Sequence, residues 1–175
     1  LIQRTRVMFA SDFEWEIEIL GFGTVRVSSN LLNKLVEYRQ LTSSSLESGG
    51  VLIGKHLNAN GVLLIDDFTP PLPTDKQSRH RYYRSQAHCK AVRRIWKESD
   101  HESTYVGLWH THPEDSPNYS SIDKKDWLNA LKTSKFEGTR LFFIIIGKTQ
   151  IRCWLGSLSA ICNPINLVSE LKIDI

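Results

Sequence analysis

Apolar and polar residues alternate with a period of two in WEIEIL (15–20) and in TVRV (24–27), on either side of a GFG turn, which predicts a β-hairpin. In SSNLLNKLVEYRQL the period lengthens. Leu31, Leu35 and Tyr38 recur at helical spacing with Leu32 and Val36 beside them, and Ser28 or Ser29 supplies a cap. After polar TSSSLESGG, the runs GVLIGKHL (50–57) and GVLLIDDF (61–68) read as two strands joined by a turn at 58–61. Pro70, Pro71 and Pro73 open a loop that neither strand nor helix absorbs, expected to reach about Arg84. A second amphipathic helix over 85–98 sets Ala87, Ala91 and Ile95 on one line, with Val92 and Trp96 adjacent. A strand at 104–110 follows, then a helix from Ser120 with an apolar face of Trp127, Leu128 and Leu131. RLFFIIIG and IRCWLG form a last strand pair, and a short helix is expected after Asn163.

Strand pairs interleaved with helices predict an α/β sandwich around a mixed, largely antiparallel sheet. A chain of 175 residues suits a single domain with a sizeable core. The only methionine is Met8; a natural start there would make LIQRTRV (1–7) an appended or fused segment and 8–175 the domain. The longest apolar run, 141–146, suits a buried strand and falls far short of the roughly 20 residues of a membrane span. With no signal-peptide pattern either, a soluble cytoplasmic protein without a membrane partner is expected.

Cys89, Cys153 and Cys162 are widely spaced and odd in number, so free, mostly buried thiols are expected rather than disulfides. A net charge of +3 does not by itself imply nucleic acid. Basic residues do concentrate over 76–97, interleaved with Tyr82, Tyr83 and Trp96. On an amphipathic helix this reads as a solvated face with Trp96 in the core, in preference to a nucleic-acid surface; docking of an acidic protein is a further alternative.

The chemistry concentrates in GLWHTHPEDSPNYSSIDKKDW (107–127). In an extended segment His110 and His112 project to one face and can converge on one point. Asp123 sits in the first turn of the helix begun by Ser120, where exposed N–H groups favour a carboxylate. Pro113 and Pro117 keep the intervening chain out of regular structure, so it can fold back toward the histidines. Two His and one Asp suit Zn²⁺ with a fourth position left for water. Such chemistry needs a carboxylate base that does not ligate. Glu47, ahead of two glycines in LESGGVLIG, is the best candidate, with Glu114 and Asp115 as rivals. Ser120 can donate to an oxyanion, and Ser120-x-x-Asp123 equally fits a helix capping box. His56, His80, His88 and His101 show no ligand spacing and read as surface or hydrogen-bonded histidines.

His110-Thr-His112, seven residues, Ser120, two residues, Asp123 resembles the signature of the JAMM metalloproteases, the MPN+ or JAB group. Glu47 in an E-x-G-G-x-L-x-G context and Pro113 fit it too, and the similarity covers about 28–156. The resemblance implies hydrolysis of an amide, usually an isopeptide bond between a ubiquitin-like C-terminus and lysine. It implies that His110, His112 and Asp123 hold Zn²⁺, that Glu47 shuttles the proton, and that Ser120 supports the oxyanion. Only about sixteen residues separate Asp123 from the strand at Arg140, too few for the long second insertion of eukaryotic deubiquitinases in the family. The chain is therefore similar to compact bacterial members, above all the JAB deconjugases of anti-phage CBASS operons, whose substrate is a cyclase attached to targets through its C-terminal tail. A hydrolase of small amide or amino-acid adducts and a non-catalytic scaffold are the alternatives.

Overall fold

A computed structural model describes residues 8–57, 61–160 and 162–174. The segment 1–7 and most of the turn at 58–61 lie outside them. The elements in order are β1 (Glu14–Ile19), β2 (Gly23–Ser28), α1 (Ser29–Val36), β3 (Gly49–Leu57), β4 (Val62–Phe68), β5 (Lys76–Ser78), β6 (Arg81–Tyr83), α2 (Ala87–Glu98), β7 (Thr104–Thr111), α3 (Ser121–Thr133), β8 (Arg140–Ile146), β9 (Gln150–Ser157) and β10 (Ile165–Lys172). Eight strands form one mixed sheet in the order β1-β2-β4-β3-β7-β8-β9-β10. Only β2 with β4 and β7 with β8 pair in parallel; the other ladders of this sheet are antiparallel. The sheet curls until Trp15 Nε1 on the first strand donates to Ser169 Oγ on the last, at 3.0 Å.

Both faces are covered, which explains why β8 is an unbroken apolar run rather than an alternating one. Phe142, Ile144 and Ile146 enter the core beneath α1 with Leu31 and Leu35, while Leu141, Phe143 and Ile145 enter the core beneath α3 with Trp127 and Leu131. Ser28 caps α1 as expected, accepting from Leu31 N at 3.3 Å.

Four expectations are corrected. The Pro-rich loop is not wholly irregular: β5 and β6 form a separate small hairpin within it. The tail is a strand, not a helix. A bulge between Leu167 and Ser169 breaks the period of two, so Val168 and Leu171 lean on the core beneath α1 three residues apart, and Ile165, buried in the opposite core, extends the spacing so that it mimics a helix. Helix α2 buries little: His88 is its one fully buried residue, Val92 and Ile95 only lean on the core, and Trp96 is exposed and stacked on His101 with ring centroids 3.9 Å apart. Finally, Cys153 is buried, but Cys89 and Cys162 are exposed.

Candidate metal centre

The alternation of β7 decides which way the signature side chains point. Leu108 enters the core beneath α3, so His110 and His112 face that side, while Trp109 and Thr111 face the opposite one. Beyond the strand, His112 N continues the ladder by donating to Ile146 O at 3.0 Å. On the other flank Gly49 pairs with His110, and the pairing extends through Thr111 N to Ser48 O at 2.9 Å. Glu47, two residues before Gly49, thereby arrives on the histidine face. The two glycines have separate reasons. A Cβ on Gly49 would lie 2.6 Å from the Tyr82 ring, and one on Gly50 would lie 2.0 Å from Thr69 O.

Asp123 reaches the same point because its loop is tied down. Lys148 N donates to Glu114 O at 2.8 Å, and Arg152 Nη1 to Pro117 O at 3.2 Å, so the β8–β9 turn carries the returning chain. The capping box is present in full: Asp123 N donates to Ser120 Oγ at 3.1 Å, and Ser120 N to Asp123 Oδ2 at 2.6 Å. The cap therefore aims the carboxylate. Because Ser120 Oγ acts there as acceptor, its hydroxyl proton is left over for another partner.

Glu47, His110, His112 and Asp123 each offer a ligand atom, all within 4.8 Å of one another. The two Nε2 atoms are 3.1 Å apart. Asp123 Oδ1 lies 3.3 Å from His110 Nε2, and Oδ2 lies 3.3 Å from His112 Nε2. Burial raises the Asp123 carboxyl, but the bonds from His110, His112 and Ser120 outweigh it and hold the group well below the carboxylate range. Burial lowers His112, yet the bond and charge of Asp123, with Glu47 and Glu114, leave it raised. Glu47 is only 4% exposed, and burial pushes it up to about 7 against the pull of both imidazoles.

This donor set suits a borderline cation. Two imidazole nitrogens with carboxylate oxygens fit Zn²⁺, whereas Ca²⁺ and Mg²⁺ favour all-oxygen shells. Two Nε2 atoms at contact distance, flanked by two carboxylates, also leave electron pairs that a cation between them would satisfy. The rival bases stand apart. The Glu114 side chain is 52% exposed and 3.5 Å from His112 Nδ1, on the ring edge away from the cluster, and Asp115 is exposed.

Several supporting residues gave no clear sequence signal. Thr111, inside the His-x-His motif, accepts from Ser48 N at 2.9 Å and donates to Gln40 Oε1 at 2.9 Å, tying β7 to the segment beside Glu47. Gln40 Nε2 in turn donates to Arg79 O at 2.7 Å. His88 is the hydrogen-bonded histidine expected, in a buried group with Thr69, Asp75 and Tyr82.

Comparison with known proteins shows the family of the chain. A family of prokaryotic homologs of the JAB domain matches residues 28–156. Three similar proteins are each named a CD-NTase/cGAS isopeptidase. The one from Escherichia coli is 30% identical over 86% of either chain. That from Vibrio cholerae is 31% identical over 75% of this chain and 80% of its own. That from Pseudomonas aeruginosa is 30% identical over 71% and 77%. The solution structure of a Desulfitobacterium hafniense protein shares the fold with a TM-score of 0.56, covering 81% of this chain and 87% of its own at 14% identity. The chain belongs to the prokaryotic JAB-domain family.

Proposed function

We propose that this protein is a zinc-dependent isopeptidase that hydrolyses the amide joining the C-terminal tail of a CD-NTase, or of a ubiquitin-like protein, to a target, as part of anti-phage CBASS regulation in the bacterial cytoplasm. The observation that carries the reading is the convergence of Glu47, His110, His112 and Asp123 within 4.8 Å, on a chain similar to proteins named as isopeptidases of CD-NTases.

His110, His112 and Asp123 would hold the zinc ion. When bound, zinc supplies Lewis acidity toward the scissile carbonyl and lowers the pKa of water. Glu47 takes the proton from the attacking water and delivers it to the departing lysine amine. A buried carboxyl held beside the histidine pair stands where a positioned group can take a proton and return it. The Ser120 hydroxyl, anchored by its cap to Asp123, donates to the oxygen that becomes negative. The capping box and the Thr111 ties hold these groups on rigid elements, as oriented attack on an amide carbonyl requires.

The test is cleavage of a CD-NTase tail amide-linked to a lysine of a carrier protein. Zinc-loaded protein should release the tail, and chelation should stop it. Stoichiometric zinc with no chelator-sensitive cleavage of this conjugate would favour a scaffold, and cleavage of short amides alone would favour a small-adduct hydrolase.

A further inference from the structure

Glu47 lies outside regular secondary structure, and a separate element holds its main chain. Its N–H donates to Ser78 O at 2.7 Å. Its carbonyl accepts from Gln77 Nε2 at 2.9 Å, and the same amide stands 3.4 Å from Ser48 Oγ. Both holding residues belong to β5, so the small hairpin clamps Glu47 from both of its backbone polar groups.

The hairpin is itself fixed by a buried carboxylate. Asp75 Oδ2 accepts from Tyr82 OH at 2.6 Å, from Leu72 N at 2.8 Å and from His88 Nε2 at 2.8 Å, while Oδ1 accepts from Ser85 N at 2.8 Å. The side chains of Asp75 and His88 are closed to solvent, at 0% and 1% exposure. On the other side of the ring, Thr69 Oγ1 stands 2.7 Å from His88 Nδ1 and accepts from Val51 N at 2.8 Å, so the network reaches β3. Tyr82 pairs with Gln77 across the hairpin and fills the space that the missing side chain of Gly49 leaves open. A continuous set of contacts thus runs from Asp75 through Tyr82 and Gln77 to the main chain of Glu47.

We infer that Gln77 is a positioning residue for Glu47: its side-chain amide sets where the glutamate carboxyl stands against the histidine pair. This rests on the reading of Glu47 as the proton carrier. Gln77 is exposed and belongs to neither core, so packing does not call for an amide at this position. Its one strong bond goes to the carbonyl of the residue proposed to move the proton.

Gln77→Met keeps the length of the side chain and removes the donor; Gln77→Lys restores an N–H donor. Both are measured as the zinc-loaded full chain on the CD-NTase tail conjugate, with Glu47→Gln as control. The expected result for Gln77→Met is a kcat about tenfold lower at unchanged KM, as for a displaced catalytic group. Zinc content and thermal midpoint should stay at wild-type values, hydrogen exchange at the Glu47 amide should speed up, and Gln77→Lys should recover most of kcat. Wild-type kcat in Gln77→Met overturns the inference, as does a loss that appears in KM or in zinc content. Full activity in Glu47→Gln is a different failure, because it removes Glu47 from the chemistry.

Discussion

At Asp123 a single carboxylate completes a helix cap and joins the candidate metal cluster. Its Oδ2 accepts from Ser120 N, completing the cap, while both oxygens face imidazole nitrogens at 3.3 Å. Cap and proposed ligand thus share one carboxylate. Asp123→Ala should therefore lose stoichiometric zinc by elemental analysis after dialysis, and retained zinc would remove it from the ligand set. Ser120→Ala separates the two proposed duties of the serine. Loss of the cap should cost about 1 kcal/mol in chemical denaturation, and loss of an oxyanion donor should lower kcat roughly 10²-fold. A variant that shows only the stability loss would leave Ser120 as a cap.

The elements differ in how far their patterns reveal them. Ladders such as β1–β2 and the buried β8 follow from alternation and apolar runs, because one or both faces bury side chains at every second position. The convergence of His110, His112 and Asp123 was also legible, since spacing on one strand and one helix start carries it, whereas Glu47 comes from a separate segment and had Glu114 and Asp115 as rivals. Gln77 and Asp75 were not legible. Their partners are thirty and thirteen residues away, Glu47 and His88, and nothing local marks a polar side chain whose bonds are long-range. The bulge in β10 hid a strand, and α2 looked buried because its apolar line is real but meets the core only weakly.

The loop between β4 and α2 has a pH signature. Burial raises Asp75, but its bonds from His88, Leu72, Tyr82 and Ser85 outweigh burial and depress it far below the usual range. A depressed folded pKa gives stability that is present above the unfolded value, about 3.9, and is lost as pH falls toward the folded value. Asp75→Asn should cost about 3 kcal/mol at neutral pH, as breaking a buried charged network does. It should also flatten the decline in stability below pH ~4, measured by urea denaturation across pH. Wild-type stability at neutral pH in this variant would show that the network does not hold the loop.

For the whole molecule, two apolar cores lie on opposite sides of one sheet and draw on its strands together with α1 and α3. Zinc should therefore stabilise the fold without creating it. Saturating metal at about a thousand times its dissociation constant adds roughly 4 kcal/mol, so chelation should lower the thermal midpoint while the circular dichroism of the folded sheet persists. An unfolded chain after chelation would make the site structural. The sheet also sets the division of labour: β7 and the residue just beyond it present the two histidines, α3 brings Asp123, and the segment before β3 brings Glu47, so no one element holds the whole cluster.

In the proposed zinc isopeptidase centre, Glu47 moves the proton without being needed to hold the metal. The most direct measurement is cleavage of the CD-NTase tail conjugate by zinc-loaded Glu47→Gln beside the wild type, with zinc counted in the same samples. The account predicts one zinc per chain in both, with release of the tail lowered by about 10³-fold or more in the variant, since proton transfer by a positioned group is worth about 10²–10⁴. Wild-type cleavage by Glu47→Gln at full zinc occupancy would contradict it.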